Sequence, residues 1–156
     1  MRTIKRNSAF DQTVRRLADA PHPTTKQPIF PTFRDLLCFA AILGFETGTQ
    51  LTLDSKSDDF VDGRVFGKDD LSMDLLYLIA LAEKRDVDIL RDDNEDTMIQ
   101  IFEQYANGGL QILTDWLREH PEDPHGDQAL LAALLSKGFL QNENKPLHDV
   151  AAEVTF

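Results

Sequence analysis

At 156 residues, with 42% hydrophobic and 28% charged residues, the chain has the size of one domain and enough apolar material for a core without a disulfide or a metal. The lone Cys38 excludes an internal bridge and points to a reducing compartment. No stretch nears the roughly 20 apolar residues that cross a bilayer, and the opening MRTIKRNSAF lacks the apolar segment of a secretory signal, so a cytoplasmic protein without a membrane part is expected.

The net charge of −11 is unevenly spread. Residues 1–34 hold seven basic against two acidic side chains, a net +5, which leaves −16 on the remainder. That acidic body repels a phosphate backbone, so contact with nucleic acid is restricted to the N-terminal segment, with Lys5, Arg6, Arg15 and Arg16 as the candidate residues. The same residues also suit a basic arm docked on its own acidic body.

In chain order, Phe10, Val14 and Leu17 recur at helical spacing behind Ser8, which predicts a first helix over about Ser8 to Ala20. Four prolines between Pro21 and Pro31 end it in an extended connector. Thr32 and Asp35 approximate a capping box for a second helix, whose apolar residues (Phe33, Leu36, Leu37, Ala40 and Leu43, widened by Cys38, Phe39 and Ile42) nearly surround it. Such a helix lies at the centre of a domain or in an oligomer interface.

Thr49 to Leu53 and Phe60 to Phe66 are β-leaning and bracket a polar loop, so a short β-hairpin or an irregular loop is expected between helices two and three. A third helix follows from Lys68 or Asp69 to Glu83, with one stripe of Leu71, Leu75, Leu78, Ile79 and Ala82 and a second of Met73, Leu76 and Ala80. Asp86 to Leu90 adds a short helical turn. A fourth helix runs from Asn94 or Glu95 to Glu119, its stripe passing through Met98, Phe102, Tyr105, Gly109 and Trp116. Gly109 on that stripe calls for close approach of another helix, or for a kink. A last helix spans Asp127 to Lys137, with Leu130, Leu131, Leu134 and Leu135 facing inward and Gly138 as its stop. A polar tail begins at Gln141.

Several arrangements along this frame bear on chemistry. Asp92, Asn94, Asp96 and Glu103 take the spacing of a calcium loop, but Thr97 stands where the turn demands glycine. His120, Glu122, Asp123 and His125 crowd one loop without the register of a zinc site. The pairs Asp58-Asp59, Asp69-Asp70 and Asp92-Asp93 are compatible with a magnesium-dependent nuclease, and each also lies where acids start a helix or line a loop. No phosphate-binding, nucleophile-elbow or metalloprotease motif occurs, and no catalytic residue, cofactor or metal ligand is assigned.

Phe33-Arg-Asp-Leu-Leu-Cys-Phe-Ala-Ala-Ile-Leu-Gly-Phe45 and Phe102-Glu-Gln-Tyr-Ala-Asn-Gly-Gly-Leu-Gln-Ile-Leu113, with Leu75 to Glu83 between them, resemble the signatures of the DNA phosphorothioation-associated (Dnd system-associated) protein 4 family, over about residues 30–117. The resemblance implies an accessory protein of a bacterial DNA-modification or phage-defence locus, in which sulfur replaces a non-bridging backbone oxygen. It transfers no catalytic residue. Its most unusual members, Tyr105, Asn107, Gly108 and Gly109, are candidates for partner binding, or for helix packing with Asn107 as a surface amide.

The expectation is therefore an all-α fold, a compact bundle of about five helices. It divides into a basic N-terminal helix and Pro-rich connector (1–31), a helical core (32–140) and a C-terminal tail (141–156). The expected function is that of a non-catalytic accessory or regulatory protein acting through contacts with other proteins of the locus or as a homo-oligomer. A DNA-contacting regulator using the basic segment and a motif-free enzyme such as a metal-dependent nuclease are the alternatives.

Overall fold

The computed structural model describes residues 1–140. The polar tail from Gln141 lies outside the described residues. Six helices and two short strands follow in the order β1 (Ile4–Asn7), α1 (Asp11–Ala18), α2 (Phe33–Glu46), β2 (Ser57–Val61), α3 (Gly63–Phe66), α4 (Asp70–Lys84), α5 (Glu95–Glu119) and α6 (Asp127–Ser136). Short 3-10 turns precede α1 and join α4 to α5.

The fold is built around α5, whose 25 residues span about 37 Å. It is amphipathic at its ends and enclosed in its middle, where every residue from Ile101 to Leu110 except Gln104 is buried. The neighbour that reaches deepest is α2. It starts as the sequence predicts: the Thr32 hydroxyl accepts from the Asp35 amide, and the Asp35 carboxylate accepts from the Thr32 amide, so two otherwise orphaned donors are satisfied.

Two apolar clusters lie on either side of this α2–α5 spine. Ile4, Leu37, Phe66, Leu76, Ile79 and Phe102 form one, bringing β1, α3 and α4 onto the first half of α5. Phe10, Leu17, Leu36, Leu113, Trp116 and Leu130 form the other, bringing α1 and α6 onto its second half. The N-terminal segment thus contributes Ile4, Phe10, Val14 and Leu17 to the interior. The Pro-rich connector is fastened back on α1 by the Phe30 amide, which donates to the Leu17 carbonyl at 2.9 Å.

The expected all-helical class with one small antiparallel sheet is the class observed. Its strand pairing differs from a local hairpin. The 57–61 strand does lie between α2 and α4, but its partner is the basic N-terminus, with Ile4 opposite Val61, Lys5 opposite Asp59, Arg6 opposite Asp58 and Asn7 opposite Ser57. Thr49 to Leu53 forms no strand; it runs along α5, where the Leu51 amide donates to the Gln104 carbonyl.

One helix presents its apolar residues otherwise than expected, and on another the structure selects between two stripes. On α6, Leu130 is buried, whereas Leu131 and Leu135 are exposed. On α4, Ser72, Leu76, Ile79 and Ala80 face the core, and most of the longer apolar stripe faces solvent. Among the described residues no helix is long and apolar enough to cross a membrane.

Candidate functional site

The glycines and most other residues of the second signature sit in the enclosed middle of α5, where they pack. A Cβ on Gly109 would stand 1.8 Å from the Ala40 carbonyl oxygen, and one on Gly44 would stand 2.0 Å from the Tyr105 carbonyl oxygen. Both distances are far inside van der Waals contact, so the α2 and α5 backbones touch only because glycine faces each of them. A side chain on Gly108 would meet the Thr49 carbonyl at 2.0 Å, so the loop after α2 is laid directly on α5. This is the close approach expected at Gly109, and the 25-residue helix runs through it without interruption.

Next to the glycines, α5 carries two fully buried polar side chains, Glu103 and Asn107. The Arg2 guanidinium grips Glu103 with two parallel hydrogen bonds of 2.6 and 2.9 Å, and the Lys5 amide donates to the same carboxylate at 2.8 Å. Asn107 accepts from the Asn7 amide at 2.8 Å and donates to the Glu103 carbonyl at 2.8 Å. The Asn7 side chain extends the chain of bonds to Thr52 and Asp54. A polar seam therefore binds β1 to the centre of α5, and the hydrogen bond and charge from Glu103 raise the affinity of Arg2 for its proton further. Tyr105 is also turned inward, its phenol donating to Glu83 on α4; burial first, and the Glu83 carboxylate beside it, push the phenol pKa up. Tyr105, Asn107, Gly108 and Gly109 are thus all enclosed, and the amide expected at the surface is inside.

Of the four basic candidates, Arg6 is buried, paired with Asp11 and lying 5.0 Å from the centroid of the Phe60 ring. Lys5 reaches Asp59 at 4.0 Å, across the strand pair. Arg16 donates to the Pro124 carbonyl at 3.1 Å. Arg15 is exposed, with Asp11 at 3.9 Å. Arg2, which the sequence reading did not single out, makes the most extensive contacts of the segment, reaching Asp96 as well as Glu103. Arg2 and Lys5 thus lie against acidic residues of the body, while Arg6 and Arg15 meet Asp11 of their own segment.

The acidic and histidine-rich stretches have local tasks. Asp69 caps α4 by accepting from the Ser72 amide and hydroxyl, and these bonds hold its pKa below the usual carboxylate range. Asp123 is buried and accepts from the amides of Gly126 and Ala129 at 3.0 Å, which sets the start of α6. His120 approaches Glu122, while His125 meets the His22 ring edge-on at 5.2 Å. Cys38 lies against Ser72, and burial pushes its thiol pKa up. Among the described residues no group of three or more His, Cys, Asp or Glu side chains converges as a metal site.

Part of the surface open to solvent is apolar. Leu71 and Leu78 on α4 are 79% and 63% exposed, Val87 just beyond is 71% exposed, and Leu75 and Ala82 complete the same stripe. A second apolar surface is the groove between α2 and α6, lined by Phe39, Ile42, Leu134, Phe139 and Leu140. Solitary exposed apolar residues are ordinary, whereas Leu71 and Leu78 lie on one side of the same helix.

Compared with known proteins, residues 3–152 match the family model described as DNA sulphur modification system-associated protein 4. No curated protein and no solved structure matches the chain.

Proposed function

The chain belongs to the DNA sulphur modification system-associated protein 4 family, and from that premise we propose that it serves the modification system as a non-catalytic accessory or regulatory protein. It works through protein–protein contacts, with a second copy of itself or with other proteins of a phage-defence locus. One observation supports this reading above all: the most exposed large apolar side chains, Leu71, Leu78 and Val87, are gathered on α4 and the turn after it. Leaving such a stripe in water forgoes about 25 cal/mol for each Å² of apolar surface that a partner would cover. The unusual residues of the signature support the same reading indirectly, because their packing roles fix the scaffold that holds α4 out.

Contact with DNA through Lys5, Arg6, Arg15 and Arg16 is the weaker reading, since Arg6 is buried in an ion pair and Lys5 faces Asp59. A salt-dependent gel shift lost on replacing Arg15 and Arg16 by alanine would support it.

The test of the protein-contact reading is light scattering on the purified chain, alone and mixed with each purified protein of the modification system. The expected result is a mass above that of one 17.6 kDa chain in at least one sample, lost in the Leu71→Glu/Leu78→Glu variant. A protein that stays monomeric in every mixture overturns the reading.

A further inference from the structure

We propose that residues 147–154 fold back as a short helix and close the apolar groove between α2 and α6. The inference is independent of the protein-contact reading, because it concerns a different surface and an occupant from the same chain.

The groove is a cavity of about 370 Å³, lined on α2 by Phe39, Ile42 and the buried Leu43 and on its other side by Leu134, Phe139 and Leu140. Ile42, Phe139 and Leu140 leave between 42% and 50% of their surface in water. The chain itself leads into this place. Gly138, with φ of +78°, ends α6 in a left-handed cap, in which the Phe139 amide donates to the Leu134 carbonyl and the Gly138 amide to the Leu135 carbonyl. That reversal sets Phe139 and Leu140 in the groove wall, so the described part of the chain ends at the groove.

The sequence that follows supplies what the groove lacks. Residues 141–146, QNENKP, are polar up to Pro146, which suits the first turn of a helix. Beyond it, Leu147, Val150, Ala151 and Val154 recur at spacings of three, one and three, the apolar side of a helix, and His148, Asp149 and Glu153 fall on the opposite side. That apolar side is about 10 Å long, as is the side of α2 from Phe39 to Glu46 that lines the groove. The polar stretch 141–146 reaches about 20 Å when extended, enough to set Leu147 at either end of the groove. The family match, residues 3–152, also runs across Leu147, Val150 and Ala151, so most of the segment belongs to the matched unit.

A helix of this length does not hold in water by itself, because too few residues follow its costly first turn. It needs an apolar cover, and the groove needs the same. A short linker holds the segment beside the groove at an effective concentration of about 1 mM. An intrinsic dissociation constant as weak as about 0.1 mM then keeps it docked roughly nine-tenths of the time, whereas a free partner at micromolar concentration needs far tighter contacts. Connectivity thus selects the chain's own segment over a second copy or another protein.

The experiment is hydrogen exchange on the full chain, read by NMR at the amides of residues 150–154. In the wild type these should exchange about tenfold more slowly than in an unstructured peptide, at every protein concentration. Ile42→Glu, a change at a half-exposed side chain, should abolish that protection while the amides of α5 keep theirs. Val150→Glu should do the same from the other side. Nuclear Overhauser contacts between the methyl groups of Ile42 and those of Val150 or Val154 should appear in the wild type. Amides of 150–154 that exchange at the unstructured rate overturn the proposal, as does protection that survives Ile42→Glu. Protection that grows with protein concentration assigns the groove to the tail of a second copy, and protection that appears only with another protein of the system assigns the tail to that partner. Either result also overturns the fold-back.

Discussion

Arg2 and Glu103, 101 residues apart in the chain, meet side-on through two hydrogen bonds, and the glutamate is fully buried while the arginine keeps one side in solvent. Removing the arginine leaves a carboxylate in the interior with the Lys5 amide as its remaining donor. Breaking a buried pair from one side typically costs about 3–5 kcal/mol, and partial exposure of Arg2 lowers that to about 2–3 kcal/mol. Urea unfolding of Arg2→Ala should show this loss. Glu103→Gln, which removes the charge that needs a partner, should be milder.

Gly109→Ala should be among the most damaging conservative changes, because the new methyl would overlap the Ala40 carbonyl, and that carbonyl and the Cα bearing the methyl both belong to helix backbones. A loss of about 3 kcal/mol or an insoluble product is expected, at the upper end of overpacking effects. Gly48→Ala offers the contrast. Nothing lies within 4 Å of the added atom, and only its φ of +65° is unfavourable, so about 1 kcal/mol should be lost.

Replacing Asn107 by alanine leaves the Asn7 amide without an acceptor in a buried place. The loss should be about 1–3 kcal/mol. Hydrogen exchange supplies the specific check: the Asn7 amide should exchange faster in the variant relative to amides of α6.

Acid should weaken the fold through its capping carboxylates. Asp62, held down to about 2 chiefly by its hydrogen bonds with Arg64, and Asp69, lowered chiefly by Ser72, both bind protons less readily folded than unfolded. The unfolded chain then takes up more protons, so stability rises with pH in this window. The contribution is complete above the unfolded value near 4 and disappears as pH falls toward 2. Unfolding curves between pH 5 and 2 should show the decline, and Asp69→Asn should flatten it.

Burial raises the Cys38 thiol pKa and limits access to it. Alkylation at pH 8 should therefore be slow in the native protein and about tenfold or more faster in urea. Equal rates in the two conditions would contradict the position of Cys38 between α2 and α4.

Much of this fold is written in local pattern. The Thr32–Asp35 box, the limits of α4 and α5 and the close contact at Gly109 follow from spacing within a few turns, where neighbours in sequence are neighbours in space. The missing part depends on distance along the chain. Ile4–Asn7 is too short to declare itself a strand, and its partner lies fifty residues away. Glu103 looks like a solvated helix residue until Arg2 and Lys5 are brought to it. The two stripes of α4 are similarly apolar, so periodicity alone could not decide which one the core covers; packing against α5 decided it. On α6 a run of leucines promised burial, but one side of a ten-residue helix suffices for the space beside Trp116, and Leu131 and Leu135 remain outside.

Because β1 is fastened to residues 57–61 and to Glu103 and Asn107, it cannot reach its final place until about a hundred further residues have been synthesised. At 5–20 residues per second that delay is on the order of 10 s. For that interval Ile4 and Phe10 stay unburied beside a cluster of cations, and the growing end of the protein, rather than its start, sets the moment of folding.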